Sequence, residues 1–171
     1  MDIIFVGDGH LPLNRGIRRM HSEIERISLT DKEAFKEIEE FCSKAGLPFF
    51  LPIMENLLAQ FVIRDVEGRM AAAARLEHTF DHPFVEEVAV REDLRGTGLG
   101  IKVVGAVLEE ARKREIKTIW VMAREPGFFR KMGFAEASEK GLLGKLIAQC
   151  DECRDYRSVC NPILLKKTLI E

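Results

Sequence analysis

The chain lacks any run of about 20 apolar residues, the length a helix needs to cross a bilayer, so no membrane-spanning role is expected. It also lacks a charge excess. A formal net charge of -2 over 171 residues gives no general reason to expect nucleic acid or an anionic membrane as partner. No basic segment precedes the first apolar residues, and Asp2 and Asp8 lie among them, so no signal peptide is expected. Cysteines are few: Cys42, Cys150, Cys153 and Cys160 fit a reducing cytoplasm, with thiols or metal ligands expected before disulfides. Repeats, linkers and low-complexity segments are missing as well. With 46% hydrophobic and 32% charged residues, the expectation is one domain over 1–171 with a real core.

Two further absences concern the glycine-rich stretch Arg95-Gly96-Thr97-Gly98-Leu99-Gly100. A dinucleotide fingerprint needs its third glycine three positions after the second, and that place is Ile101. A phosphate-binding P-loop needs Lys-Ser/Thr after its last glycine, and Gly100 is followed by Ile101.

What is present is a strand, a glycine loop and a helix in that order. Val88-Ala89-Val90 is an apolar strand, Arg91 to Leu94 a charged loop, and Ile101 to Leu108 a helix start. Backbone N–H groups at such a helix N-terminus, together with its dipole, favour a negative ligand. Glycines let that ligand approach the main chain closely. Ile101, Val104, Leu108 and Ala111 mark the helix's buried face, with Glu109/Lys113 and Glu110/Arg114 as outward pairs. Thr118 to Ala123 reads as a buried parallel strand, followed by a short helix from Pro126 that ends at Gly133.

Before this unit, Asp2 to Val6 suggests a short strand, and residues 1–22 form an N-terminal extension of open role. Ile24 to Ser28 suggests a strand. Thr30 and Glu33 have capping-box spacing for a helix whose stripe is Phe35, Ile38, Cys42 and Ala45, with Gly46 at its end. Leu47 to Pro52 is an apolar loop leading toward a short helix through Leu58. Gln60–Arg64 and Met70–His78 read as two strands joined near Asp65–Gly68, and Asp81-His82-Pro83 as the next turn. Ala71 to Ala74 favours helix on propensity, but the flanking turn leaves no helical cap. His78 and His82 are expected at the surface. Ile163 to Lys167 reads as the last strand.

The Arg-x-x-Gly-x-Gly loop after Val-Ala-Val, followed at the right distance by Phe128-Phe129-Arg130-Lys131-Met132-Gly133-Phe134, resembles the GNAT family of N-acetyltransferases. The resemblance covers Ile24 to Lys167, with specific motifs only after Phe84. It implies an α/β (α+β) GNAT fold: a mixed, mostly antiparallel sheet flanked by helices, with a central parallel strand pair splayed for acetyl-CoA. It implies a hairpin where the four alanines lie, and an acceptor wall near residues 47–52, which a plain core-packed loop explains equally well. Val88, Ala89 and Val90 would pair with the pantetheine arm. The amides of Arg95, Gly96, Thr97, Gly98, Leu99 and Gly100 would hold the pyrophosphate. The amine must lose a proton to attack. Glu87 is the first candidate base and Glu86 the second, alternation sending them to opposite faces. Phe129 falls at the cofactor-side position where many members carry a proton-donating Tyr.

The double phenylalanine and the segment 141–171 with its three cysteines look like the short N-acetylglutamate synthase-like transferases. That similarity implies a small-molecule amine acceptor, the α-amine of a small amino acid such as glutamate, with Arg75 and Arg124 as candidate carboxylate ligands. Two departures bear on glutamate: Phe84 stands where synthases place a carboxylate, and Met122-Ala123 replaces Leu-Thr. Other acceptors are a peptide, a protein or a polyamine. A non-catalytic acyl-CoA-binding module, or a redox or zinc-dependent interaction domain on Cys150, Cys153 and Cys160, are the other function classes. Zinc is not favoured, since a closed site wants four ligands. A homodimer is left open.

Overall fold

The computed structural model describes residues 23–47, 54–151, 153 and 155–170. The expected strand at Asp2–Val6, the N-terminal extension and most of the apolar loop after Leu47 lie outside them. The chain order is β1 (Ile24–Ile27), α1 (Lys32–Lys44), β2 (Leu57–Arg64), β3 (Met70–Thr79), β4 (His82–Val90) and a 3-10 turn (Glu92–Leu94). There follow α2 (Leu99–Lys113), β5 (Thr118–Ala123), α3 (Pro126–Lys131), β6 (Ala135–Glu136), α4 (Lys140–Cys150) and β7 (Ile163–Thr168). Among the described residues, no helix is long and apolar enough to cross a membrane.

The seven strands form one sheet in the order β1-β2-β3-β4-β5-β7-β6. Every pairing is antiparallel except β4 with β5. A mixed, mostly antiparallel sheet with one central parallel pair is the architecture expected from the motifs.

Local chemistry accounts for the element ends, with some shifts. Asp31, not Thr30, caps α1: its carboxylate accepts from the Ala34 N–H at 3.0 Å, while the Thr30 hydroxyl bonds that of Ser28. At the other end Gly46 takes φ +77, and the N–H groups of Gly46 and Leu47 reach back to the carbonyls of Ser43 and Cys42. The β3–β4 turn is Phe80-Asp81, both with positive φ, so β4 already begins at His82. β2 begins at Leu57, where a short helix was expected. The helix α4 falls where no sequence motif marks an element.

Three apolar clusters fix the layers. On one face α1 lays Ala34, Ile38 and Cys42 on Val62, Ala73 and Ala89. On the other, α2 buries Leu99, Val103, Val104, Val107, Leu108 and Ala111 against Ala72, Ala74, Leu76 and Val85. Covered on both faces, β3 loses the polar alternation of an exposed strand, so Ala71–Ala74 belong to the sheet despite their helical propensity. Ile101 departs from its expected place on the buried face and is 56% exposed. The outward pairs Lys113–Glu109 and Arg114–Glu110 form at 2.9 and 2.8 Å. The third cluster sets Leu142 and Leu146 of α4 on Phe84 and Leu164.

Candidate active site

The cleft begins where two strands part. β4 and β5 are in register only at Phe84 and Trp120. Beyond that point β5 stays paired with β7 along its whole length, whereas β4 stays with β3. The main chain of β4 from Val85 to Val90 therefore has an edge open toward β5 without β5 as partner. A bulge accompanies the parting. Glu87 holds a left-handed backbone, φ 50, and the register slips so that Glu87 and Val88 together oppose Ala74. A bulge bends the strand that carries it.

At the far end of β4 lies the glycine loop. Arg95 is extended, while Gly96 and Gly98 take φ +79 and +90, a region costly for any residue with a Cβ. Gly98 is the N-cap of α2, so the first N–H groups of that helix have no intrahelical partner. Among the described residues, apart from chain neighbours, no group stands within 4 Å of where a Cβ would sit on Gly96 or Gly98, so the cradle is open. Gly100 is constrained differently: a Cβ there would meet the Phe128 ring at 3.3 Å and Val90 at 3.5 Å. The loop is anchored by Arg91, whose guanidinium bonds Asp65 at 2.8 Å and Asp93 at 2.7 Å. Burial pushes the Asp65 carboxyl up, but hydrogen bonds from Arg69, Arg91 and two backbone amides outweigh it and hold the group below its ordinary range. Open glycine amides at a helix start, beside a strand edge that β5 does not pair with, fit the phosphates and amide arm of an acyl-CoA.

Acidic groups line the opposite side of the parted strands. Because of the bulge, Glu86 and Glu87 do not face opposite ways; both lie on the side of Arg75. Arg75, 3% exposed, contacts Glu87 at 2.8 Å and Glu77 at 2.7 Å. The Thr79 hydroxyl stands 3.5 Å from both Glu77 and Glu86, and donates to one at a time. Burial, reinforced by the charge of Glu77, pushes the Glu86 carboxyl up to about 7, against the pull of Arg75. Burial likewise raises Glu77. A carboxylic acid that ionises near neutrality, beside a gap between strands, is suited to receive a proton from an amine.

Residues 19–134 match the model of the acetyltransferase (GNAT) family. The chain belongs to that family. As a member it is an acyltransferase, an N-acetyltransferase with an acyl-CoA donor. An uncharacterized N-acetyltransferase of Chlorobaculum tepidum is 23% identical over 150 residues, 85% of this chain and 96% of that protein. Among solved structures, a Mycobacterium tuberculosis protein in complex with CoA superposes with a TM-score of 0.62 at 17% identity, covering 86% of this chain and 99% of its own. The N-acetylglutamate synthase of Neisseria gonorrhoeae, complexed with coenzyme A and N-acetyl-glutamate, gives 0.64 at 15% identity, over 87% of this chain and 36% of that one. At these identities the structural likeness concerns the fold.

The remaining candidate residues of this GNAT chain sit as follows. Val88 and Val90 pack toward α2, and Ala89 lies under α1. Phe129, 5% exposed, is wedged edge-to-face between Phe128 and Phe134 in the α2-side core. The one tyrosine of the chain is Tyr156, far along the C-terminal segment, so α3 carries no phenolic donor. Arg124, at the end of β5, donates to the Gly46 carbonyl at 2.9 Å and lies 3.7 Å from Asp155. It thereby joins the end of α1 to the C-terminal segment. All four cysteines are free thiols, and burial raises Cys42 to about 12. Cys150 and Cys160 are raised by burial as well, and each feels Cys153 nearby. Among the described residues no group of three or more His, Cys, Asp or Glu is placed to hold a metal ion. Glu77, Thr79 and Gln60 lie in no sequence motif of their own. The signal for the first two was the polar alternation Arg75-x-Glu77-x-Thr79 that follows the alanines on β3.

Proposed function

We propose that the chain moves an acetyl group from acetyl-CoA to the primary amine of a small molecule, with an α-amino acid as acceptor, working in the cytoplasm as a single domain. The observation that carries this reading is the juxtaposition, along one strand, of an open glycine cradle and a half-buried carboxyl of raised pKa. The Arg95–Gly100 amides would hold the pyrophosphate, and the free edge of Val88, Ala89 and Val90 the pantetheine arm. Acetyl-CoA supplies the activated thioester.

Glu86, rather than Glu87, takes the amine's proton in this scheme. The Glu87 carboxylate is engaged by Arg75 at 2.8 Å, which ties it to the guanidinium. Glu86 stands next to the parted edge, with the Thr79 hydroxyl as its long hydrogen-bond partner. Glu87 and Arg75 then act as positioning residues that hold the bulged strand. Arg124, directly after β5, is the candidate for the acceptor's carboxylate, since a guanidinium fits a carboxylate in two-pronged fashion. Glutamate would need a second cationic partner, and Arg75 is already shared between Glu77 and Glu87. The test is calorimetric titration with acetyl-CoA followed by steady-state release of CoA with a panel of amino acids, polyamines and peptides. Binding without turnover on any amine would instead support a non-catalytic acyl-CoA module.

A further inference from the structure

The floor of the acceptor side is a cross-strand row. Gln60 on β2 pairs with Arg75 on β3, and Arg75 with Glu86 on β4, so the three side chains share the α1 face. Glu77 and Thr79 continue that face along β3, and Glu87 joins it through the bulge. Among the described residues, three carboxylates thus meet one guanidinium there. Gln60 is 1% exposed; its amide N–H groups donate to the carbonyls of Phe61 and Ala74, and its Oε1 has no hydrogen-bond partner among the described residues. A buried acceptor left unsatisfied is costly unless a ligand donates to it. Among the described groups the surplus is therefore of carboxylates and of hydrogen-bond acceptors.

Resting on the acetyltransferase reading above, we propose that the acceptor is a small amine with a second positive charge, a basic α-amino acid. One amine is presented to Glu86, and the second cationic group rests against Glu77 and the acceptor oxygens beside it. An acidic acceptor would bring like charge into this row and lose affinity through repulsion, whereas a second cation restores neutrality. Glu77 then sets specificity rather than transferring a proton.

The experiment compares lysine with norleucine, which has the same chain length without the terminal ammonium, and with glutamate, by CoA release at saturating acetyl-CoA. The expected result is a kcat/KM for lysine at least ~10-fold above that for norleucine, the effect of one well-placed ion pair, with glutamate lowest. Glu77→Gln should cut the lysine-to-norleucine ratio by roughly the same factor, through KM. Norleucine or glutamate acetylated as well as lysine, or a ratio unmoved in Glu77→Gln, overturns the proposal and leaves the acetyltransferase reading standing. Protein that binds acetyl-CoA yet acetylates no amine overturns both. The comparison in the unaltered protein stands even should Glu77→Gln fail to fold.

Discussion

Replacing Glu86 by glutamine keeps the side chain's shape and removes its ability to ionise, and two independent readouts follow. The carboxyl is raised from an ordinary 4.5 to about 7. At about 1.36 kcal/mol per pKa unit, ionising it in the folded chain costs roughly 3 kcal/mol. The sign is that of a raised carboxyl: below about 4.5 the group is protonated in both states and the cost is absent. As pH rises toward 7 the unfolded chain releases its proton while the folded chain keeps it, so stability falls. Above 7 the full cost is present. Glu86→Gln should therefore be more stable than the parent at pH ~8.5 by up to about 3 kcal/mol, and close to it near pH ~5. For a chain of this size that is a rise in Tm of about 5–10 °C, read by thermal melts at the two pH values. Over the same range kcat should fall by ~10²-fold or more, because general-base catalysis contributes at least that much. The parent's kcat/KM should rise with pH through about 7, and the variant should lose that limb. Equal turnover in the two proteins would move the base elsewhere. A stability difference that does not change with pH would mean that Glu86 titrates as an exposed carboxylate.

Other perturbations test other parts of the site. Gly98→Asp places a side chain and a negative charge at a φ of +90 in the proposed pyrophosphate cradle, and should weaken acetyl-CoA at least ~10-fold by calorimetry; an unchanged Kd would remove the loop from the binding site. Asp65→Asn weakens the charge-assisted bonds to Arg69 and Arg91 and should cost about 1–3 kcal/mol in urea at neutral pH. Because the Asp65 carboxyl is held low, that difference is present above the unfolded pKa and shrinks as pH falls through the acid range. Arg124→Ala should raise KM for an amino-acid acceptor with little effect on acetyl-CoA affinity, and equal KM values would exclude it as the carboxylate ligand. Phe84→Ala removes the fully buried ring at which β4 and β5 meet, and should cost ~3–5 kcal/mol in chemical denaturation.

Much of the architecture was written in local chemistry. The glycine loop, the helix after it and the buried run Thr118–Ala123 follow from backbone freedom, periodicity and continuous apolarity, each a property of neighbours in sequence. Gly46 and Asp65–Gly68 announced their turns for the same reason. Element ends were less legible. Thr30 and Asp31 are both good caps, and the hydroxyl of Ser28 decided between them by occupying Thr30.

The acceptor side was decided by tertiary structure alone. Alternation assigns Glu86 and Glu87 to opposite faces, and a single left-handed residue overrules it, because a bulge inserts one residue and resets the phase. Nothing in the sequence distinguishes a free Arg75 from one shared between Glu77 and Glu87, since those partners come from different places along β3 and β4. Nor does sequence tell which of two adjacent glutamates is raised toward neutrality; that depends on burial and on which charges the sheet brings within reach. Gly100 is the clearest instance. Its place in the loop was readable, but the Phe128 ring 3.3 Å from its would-be Cβ exists only once α3 has packed against the start of α2.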